Sequence, residues 1–136
     1  MVLASNDNLS AELTDLVNNK NLNIEYHQNL SRTALADLYN SCTLGLLINN
    51  KSEHAERFTS PLKYFEYIAS GLKVVASDSK SHRLLPYQES INYFDSSKNS
   101  TFIDAVNNAI NSKQPTYDAL QQYSMSQRAL KILNFY

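Results

Sequence analysis

HAERFTSPLKYFEYIASGLKVVASD, His54 to Asp78, reads as a loop, a helix and a strand in succession. Ser60 is a good N-cap, and Pro61 directly after it sits where a missing N–H and a fixed φ cost nothing. A helix is therefore predicted to start at Pro61. Leu62, Phe65, Ile68 and Ala69 recur at helical spacing as its apolar stripe, and Gly71 suits a left-handed stop. KVVAS, Lys73 to Ser77, then has the look of a short strand buried on both faces.

A second face of that helix carries Lys63, Glu66, Tyr67 and Ser70 at i, i+3, i+4 and i+7. Two readings of it stand side by side. Lys63 and Glu66 form an exposed helix pair worth about 0.2–0.5 kcal/mol, or Lys63 lies near an anion while Glu66 accepts hydrogen bonds from sugar hydroxyls. A helix start that follows the carboxyl end of a parallel strand directs free N–H groups and partial positive charge into the sheet's ligand crevice, which suits a phosphate or diphosphate.

Outward from this stretch the same alternation continues. VLA at Val2 to Ala4 suits a strand, LSAELTDLV a helix capped by Ser10 with Leu9, Leu13, Leu16 and Val17 in its stripe, and NIEYHQ a strand. Ser31 caps a helix carrying Leu35, Leu38 and Tyr39, and LGLLI is a continuous apolar run typical of a strand covered on both sides. After a turn region with Pro86 as breaker, INYF reads as a strand and STFIDAVNNAI as a helix with Phe102, Val106 and Ile110 on one side. Residues 115–136 are helical in character and close the chain. Strands alternating with helices predict an α/β fold, a Rossmann-like doubly wound parallel sheet with right-handed crossovers, in a single domain over residues 1–136.

Composition narrows the function. With 136 residues, 43% of them hydrophobic, the chain is long enough for one core of its own. A formal net charge of -1 and a pI near 6.3 give no overall basic field for a nucleic-acid backbone. Cys42 is a single cysteine, no Cys/His cluster has zinc spacing, and the apolar runs are shorter than a membrane span, so a cytoplasmic protein without a transmembrane segment is expected, with peripheral attachment at the inner face of a membrane open. His27 ends a strand, whereas His54 and His82 lie in polar segments; none has the spacing of a catalytic triad. A phospho-accepting receiver domain would need acidic residues after its early strands, and VLAS and LLINN offer none.

TSPLKYFEYIASGLKVVASD closely resembles the donor-site motif of retaining GT-B glycosyltransferases of the family 4 type (glycosyl transferases group 1). NIEYHQNLSRTALADLYNSCTLGLL is similar to the strand, helix and strand before that motif, and YSMSQRALKILNFY to the closing helix of the family. The resemblance spans essentially the whole chain. It implies the C-terminal, donor-binding half of a GT-B fold, lacking its first strand and helix, in an enzyme that moves a hexose from a nucleoside diphosphate sugar of the UDP or GDP type to a glycan or lipid acceptor.

The implied nucleotide-sugar-binding residues are Glu66 on the ribose hydroxyls, backbone N–H groups around Ser60, Pro61 and Leu62 on the diphosphate, with Phe58, Thr59 and Lys63 beside them, and Gln28 and Asn29 near the nucleobase. No catalytic residue, metal or further cofactor is implied. Phe58 departs from the pattern, since many relatives have there a second Glu that contacts the donor sugar. The acceptor-binding half has no counterpart here, so the expected partners are a nucleotide sugar and a separate acceptor domain, with self-association through an exposed sheet edge. The chain alone is expected to be inactive in transfer. A non-catalytic nucleotide-binding or assembly module of the same fold is the alternative.

Overall fold

The computed structural model describes residues 1–48 and 62–113. The chain divides into two units, Met1–Leu38 and Tyr39–Tyr136, each with its own parallel sheet.

In the first unit β1 (Val2–Ser5) and β2 (Glu25–Gln28) pair from Val2 opposite Glu25 to Ser5 opposite Gln28, and α1 (Ala11–Asn18) is the crossover. Ser10 caps α1 as expected, accepting from the Leu13 N–H at 3.3 Å. The expected stripe is not buried: Leu13 and Leu16 are 42% and 46% exposed, and no residue of this unit is fully buried. Two four-residue strands present about two side chains each to a face, too few to cover a helix. Polar ties help hold the unit, among them the Tyr26 hydroxyl donating to the Asp7 carbonyl at 2.9 Å. Ser31 then caps α2 (Arg32–Ser41), accepting from the Ala34 N–H at 3.2 Å, and this helix carries the boundary between the units.

The second unit has a core with two sides. β3 (Leu44–Leu47), β4 (Lys73–Ser77) and β5 (Ile91–Phe94) lie parallel in that order, joined by α3 (Leu62–Ala69) and followed by α4 (Asn99–Asn111). Central strand β4 is buried at all five positions, as a strand covered on both faces must be. Side chains alternate across it: Val74 and Ala76 join Leu47, Ile91 and the α3 residues Tyr64 and Ile68, while Val75 joins Phe94 and the α4 residues Ala105 and Ala109. Helices thus pack on both faces of the sheet, as the doubly wound reading requires.

Two helix faces differ from expectation. On α3, Tyr64 and Ile68 are buried, whereas Leu62 is 61% exposed and Ala69 is exposed. Tyr64 can be wholly enclosed because its hydroxyl donates to the Pro86 carbonyl, which leaves no buried polar atom unmet. On α4 the contact face is Phe102, Ala105, Val106 and Ala109, and Ile110 turns outward. Small Ala side chains let that helix approach the sheet, a feature that a search for large apolar residues misses.

Gly71 stops α3 as predicted, and Lys73 supplies a second stop that the sequence reading did not contain. Gly71 has φ 71°, its N–H donates to the Ile68 carbonyl, and the Leu72 N–H donates to the Tyr67 carbonyl at 2.9 Å, a complete Schellman motif. Lys73 is buried, and its ammonium donates to the Ile110 and Ser112 carbonyls at 2.9 and 2.7 Å, closing the end of α4. No helix among the described residues is long and apolar enough to cross a membrane.

Candidate functional site

In open parallel sheets ligands bind beyond the carboxyl ends of the strands. Of the sequence-predicted residues, Phe58, Thr59, Ser60 and Pro61 lie outside the described residues, as does the closing segment 115–136. Leu62, Lys63 and Glu66 are on α3 in the second unit, all exposed. Gln28 and Asn29 are in the first unit at the carboxyl end of β2. Asn29 adopts a left-handed φ of 54°, a conformation that Asn tolerates better than most residues, and its N–H donates to the Ser5 carbonyl at 3.1 Å. Gln28 donates to the Asn8 side chain at 2.9 Å.

Glu66 is the best-built of these positions. Among the described residues it makes no ion pair with Lys63, so the helix-pair reading is corrected. Its Oε2 instead accepts from the Tyr39 hydroxyl at 3.0 Å. Tyr39, on α2, meets Tyr67 edge to face with centroids 5.4 Å apart and planes at 89°. The Tyr67 hydroxyl donates to the Leu46 carbonyl at 3.3 Å, and its ring lies against Gly45, where a Cβ would stand 2.4 Å from Cδ2. Gly45 therefore serves a close approach between β3 and an aromatic ring.

Electrostatics keep the two phenols of this arrangement protonated. Burial, the hydrogen bond to Glu66 and that carboxylate's charge push the Tyr39 phenol well above its ordinary value. Burial, with smaller help from Glu66 and Cys42, raises Tyr67 too. Both phenols remain donors at any physiological pH. Glu66 is thus an exposed carboxylate with one oxygen held by a neutral donor and the rest of its acceptor capacity facing outward.

A second cluster stands at the carboxyl end of β4. Arg83 donates to both Asp78 oxygens, at 2.8 and 2.9 Å, and its guanidinium lies 3.8 Å from the Tyr93 ring centroid. The hydrogen bond from Arg83 lowers the Asp78 carboxyl below its usual range. Asp78, Ser79, Lys80, Arg83 and Leu84 line an open, shallow cleft. His82 is buried, contrary to its polar sequence setting, with Nδ1 2.7 Å from the Ser77 carbonyl. The His82 carbonyl accepts from Tyr93 and Gln88, so this histidine organises the loop between β4 and β5. His27 Nε2 lies 2.8 Å from Glu25 Oε1 without hydrogen-bond alignment.

Sequence reading missed Tyr39, Gly45, His82 and Arg83 as site builders. By spacing Tyr39 belongs to an apolar stripe; its partner is 27 positions away, and no local spacing announces such a contact.

A family model described as glycosyl transferase-like matches residues 6–134. No curated protein and no solved structure matches the chain. A match over nearly the entire length, on a parallel α/β framework, makes this chain a member of the glycosyl transferase-like family, and glycosyl transfer the general class of its chemistry.

Proposed function

We propose that the chain is the donor-binding part of a retaining GT-B glycosyltransferase, taking a nucleoside diphosphate sugar whose hexose passes to a glycan or lipid acceptor held by a separate half. The observation that carries this reading is the state of Glu66: exposed, unpaired with Lys63 among the described residues, and oriented by Tyr39. A carboxylate in that state suits two neighbouring sugar hydroxyls, because each oxygen can accept one of them. Lys63 is close enough along the helix to favour an anion without neutralising Glu66. The diphosphate is assigned to the N–H groups around Ser60 to Leu62 from sequence alone. There the helix dipole favours the negative charge that develops on the leaving group, the kind of preorganised stabilisation that lowers a transfer barrier.

The test is a titration of the chain with UDP, GDP and ADP, followed by thermal shift and amide NMR. A nucleotide present at about 100 times its dissociation constant adds roughly 2.7 kcal/mol to stability, and Glu66→Ala removes that gain. Absence of any response to all three at millimolar concentration refutes donor binding. Binding without sugar transfer, once an acceptor half is supplied in trans and its association is confirmed, would assign the chain to a non-catalytic module.

A further inference from the structure

We infer that Tyr39 is a positioning residue for Glu66, holding its carboxylate in the one orientation that accepts a ribose diol, and thereby contributes to selection of ribonucleotide over deoxyribonucleotide ligands. This rests on the reading of Glu66 as the ribose ligand. A glutamate on an exposed helix face samples many rotamers, and a ligand that uses it must first restrict them. Here the Tyr39 hydroxyl already fixes Oε2 at 3.0 Å. Oε1 has no hydrogen-bond partner among the described residues, so it and the second lone pair of Oε2 remain for the ligand.

What holds Tyr39 is itself anchored to the sheet. Its ring meets Tyr67 edge to face, Tyr67 donates to the Leu46 carbonyl, and the bare backbone of Gly45 admits the Tyr67 ring. Support therefore runs from β3 through two aromatic rings to the carboxylate. A phenol suits the task better than an ammonium or guanidinium would. It donates one directed hydrogen bond yet leaves the carboxylate its full charge, and the raised phenol pKa keeps the proton on Tyr39. A site built to hydrogen-bond a hydroxyl discriminates against the analogue that lacks it to the extent that the bound ligand covers the partner and leaves it unpaired.

The test compares wild type, Tyr39→Phe and Glu66→Ala in the full chain, each titrated with UDP and GDP and with the 2′,3′-dideoxy form of each. Urea unfolding of every variant accompanies the titrations. Tyr39→Phe is expected to weaken the ribonucleotide about 10-fold, the size of one hydrogen bond to a charged group, and to leave the dideoxy form unchanged. Equal weakening of both forms would make Tyr39 a merely structural residue and overturn the inference. Unchanged ribonucleotide binding in Tyr39→Phe, alongside a clear loss in Glu66→Ala, would overturn it while sparing the Glu66 reading. If Glu66→Ala binds like wild type, the Glu66 reading itself falls, and the role of Tyr39 with it.

Discussion

A methyl group placed on Gly45 should disturb the fold and the candidate site together. The added Cβ would stand 2.4, 2.6 and 2.8 Å from Cδ2, Cγ and Cε2 of Tyr67. Carbon atoms settle at about 3.5–4.0 Å, so the ring must retreat by roughly 1 Å. Two contacts oppose that retreat, the Tyr67 hydroxyl on the Leu46 carbonyl and the edge of Tyr39. Overpacking of this kind costs about 1–3 kcal/mol, and a doubly anchored ring belongs in the upper half of that range. Replacing a strand glycine with alanine returns about 0.5–1 kcal/mol of backbone entropy, which leaves a net loss of about 1–2.5 kcal/mol for Gly45→Ala. The assay is urea unfolding of a double-mutant cycle with Tyr67→Leu. In the Tyr67→Leu background the same methyl group should cost nothing or stabilise. Equal effects in both backgrounds, or a neutral Gly45→Ala in the wild-type background, would refute the packing argument. Under the function proposed for Glu66, the ribonucleotide affinity of Gly45→Ala should fall as well, since a displaced Tyr67 no longer braces Tyr39.

Three further outcomes follow from the same geometry. Gly71→Ala places a side chain at φ 71° and should cost about 1 kcal/mol in thermal unfolding. Lys73→Met leaves the Ile110 and Ser112 carbonyls without their donor and should cost about 1–3 kcal/mol, with hydrogen exchange rising first in the last turn of α4. Arg83 holds the Asp78 carboxyl below its usual range, so their pairing stabilises the fold above about pH 4 and fades as pH falls through the lowered value. Asp78→Asn should therefore melt slightly below wild type at pH 7 and together with it at pH 2, the small difference shrinking in high salt because both partners are about half exposed.

Order and identity of the elements were legible because each is announced locally. Ser10 and Ser31 cap their helices, Gly71 ends α3 in a left-handed turn, and the unbroken apolar run of β4 is buried on both faces. Contact faces were less legible. Leu62 and Ile110 point outward while Tyr64 and Ala109 point inward, because burial depends on whether a hydroxyl finds a carbonyl and on how near a helix can come to its sheet. The β1–β2 unit shows the same limit, where Leu13 and Leu16 have the right period but too little sheet to cover them.

Sequence by itself determined the α/β class, the strand and helix order and the family, since caps, stops, periodicity and motif words all act within a few residues or along the chain in order. It also singled out Glu66, but left it between a lysine partner and a sugar. Tertiary structure gave Glu66 a partner that is not Lys63, by bringing Tyr39 across 27 positions to the carboxylate and setting Tyr67 on a bare glycine. Those contacts join separate elements, and their geometry exists only once the helices have packed on the sheet.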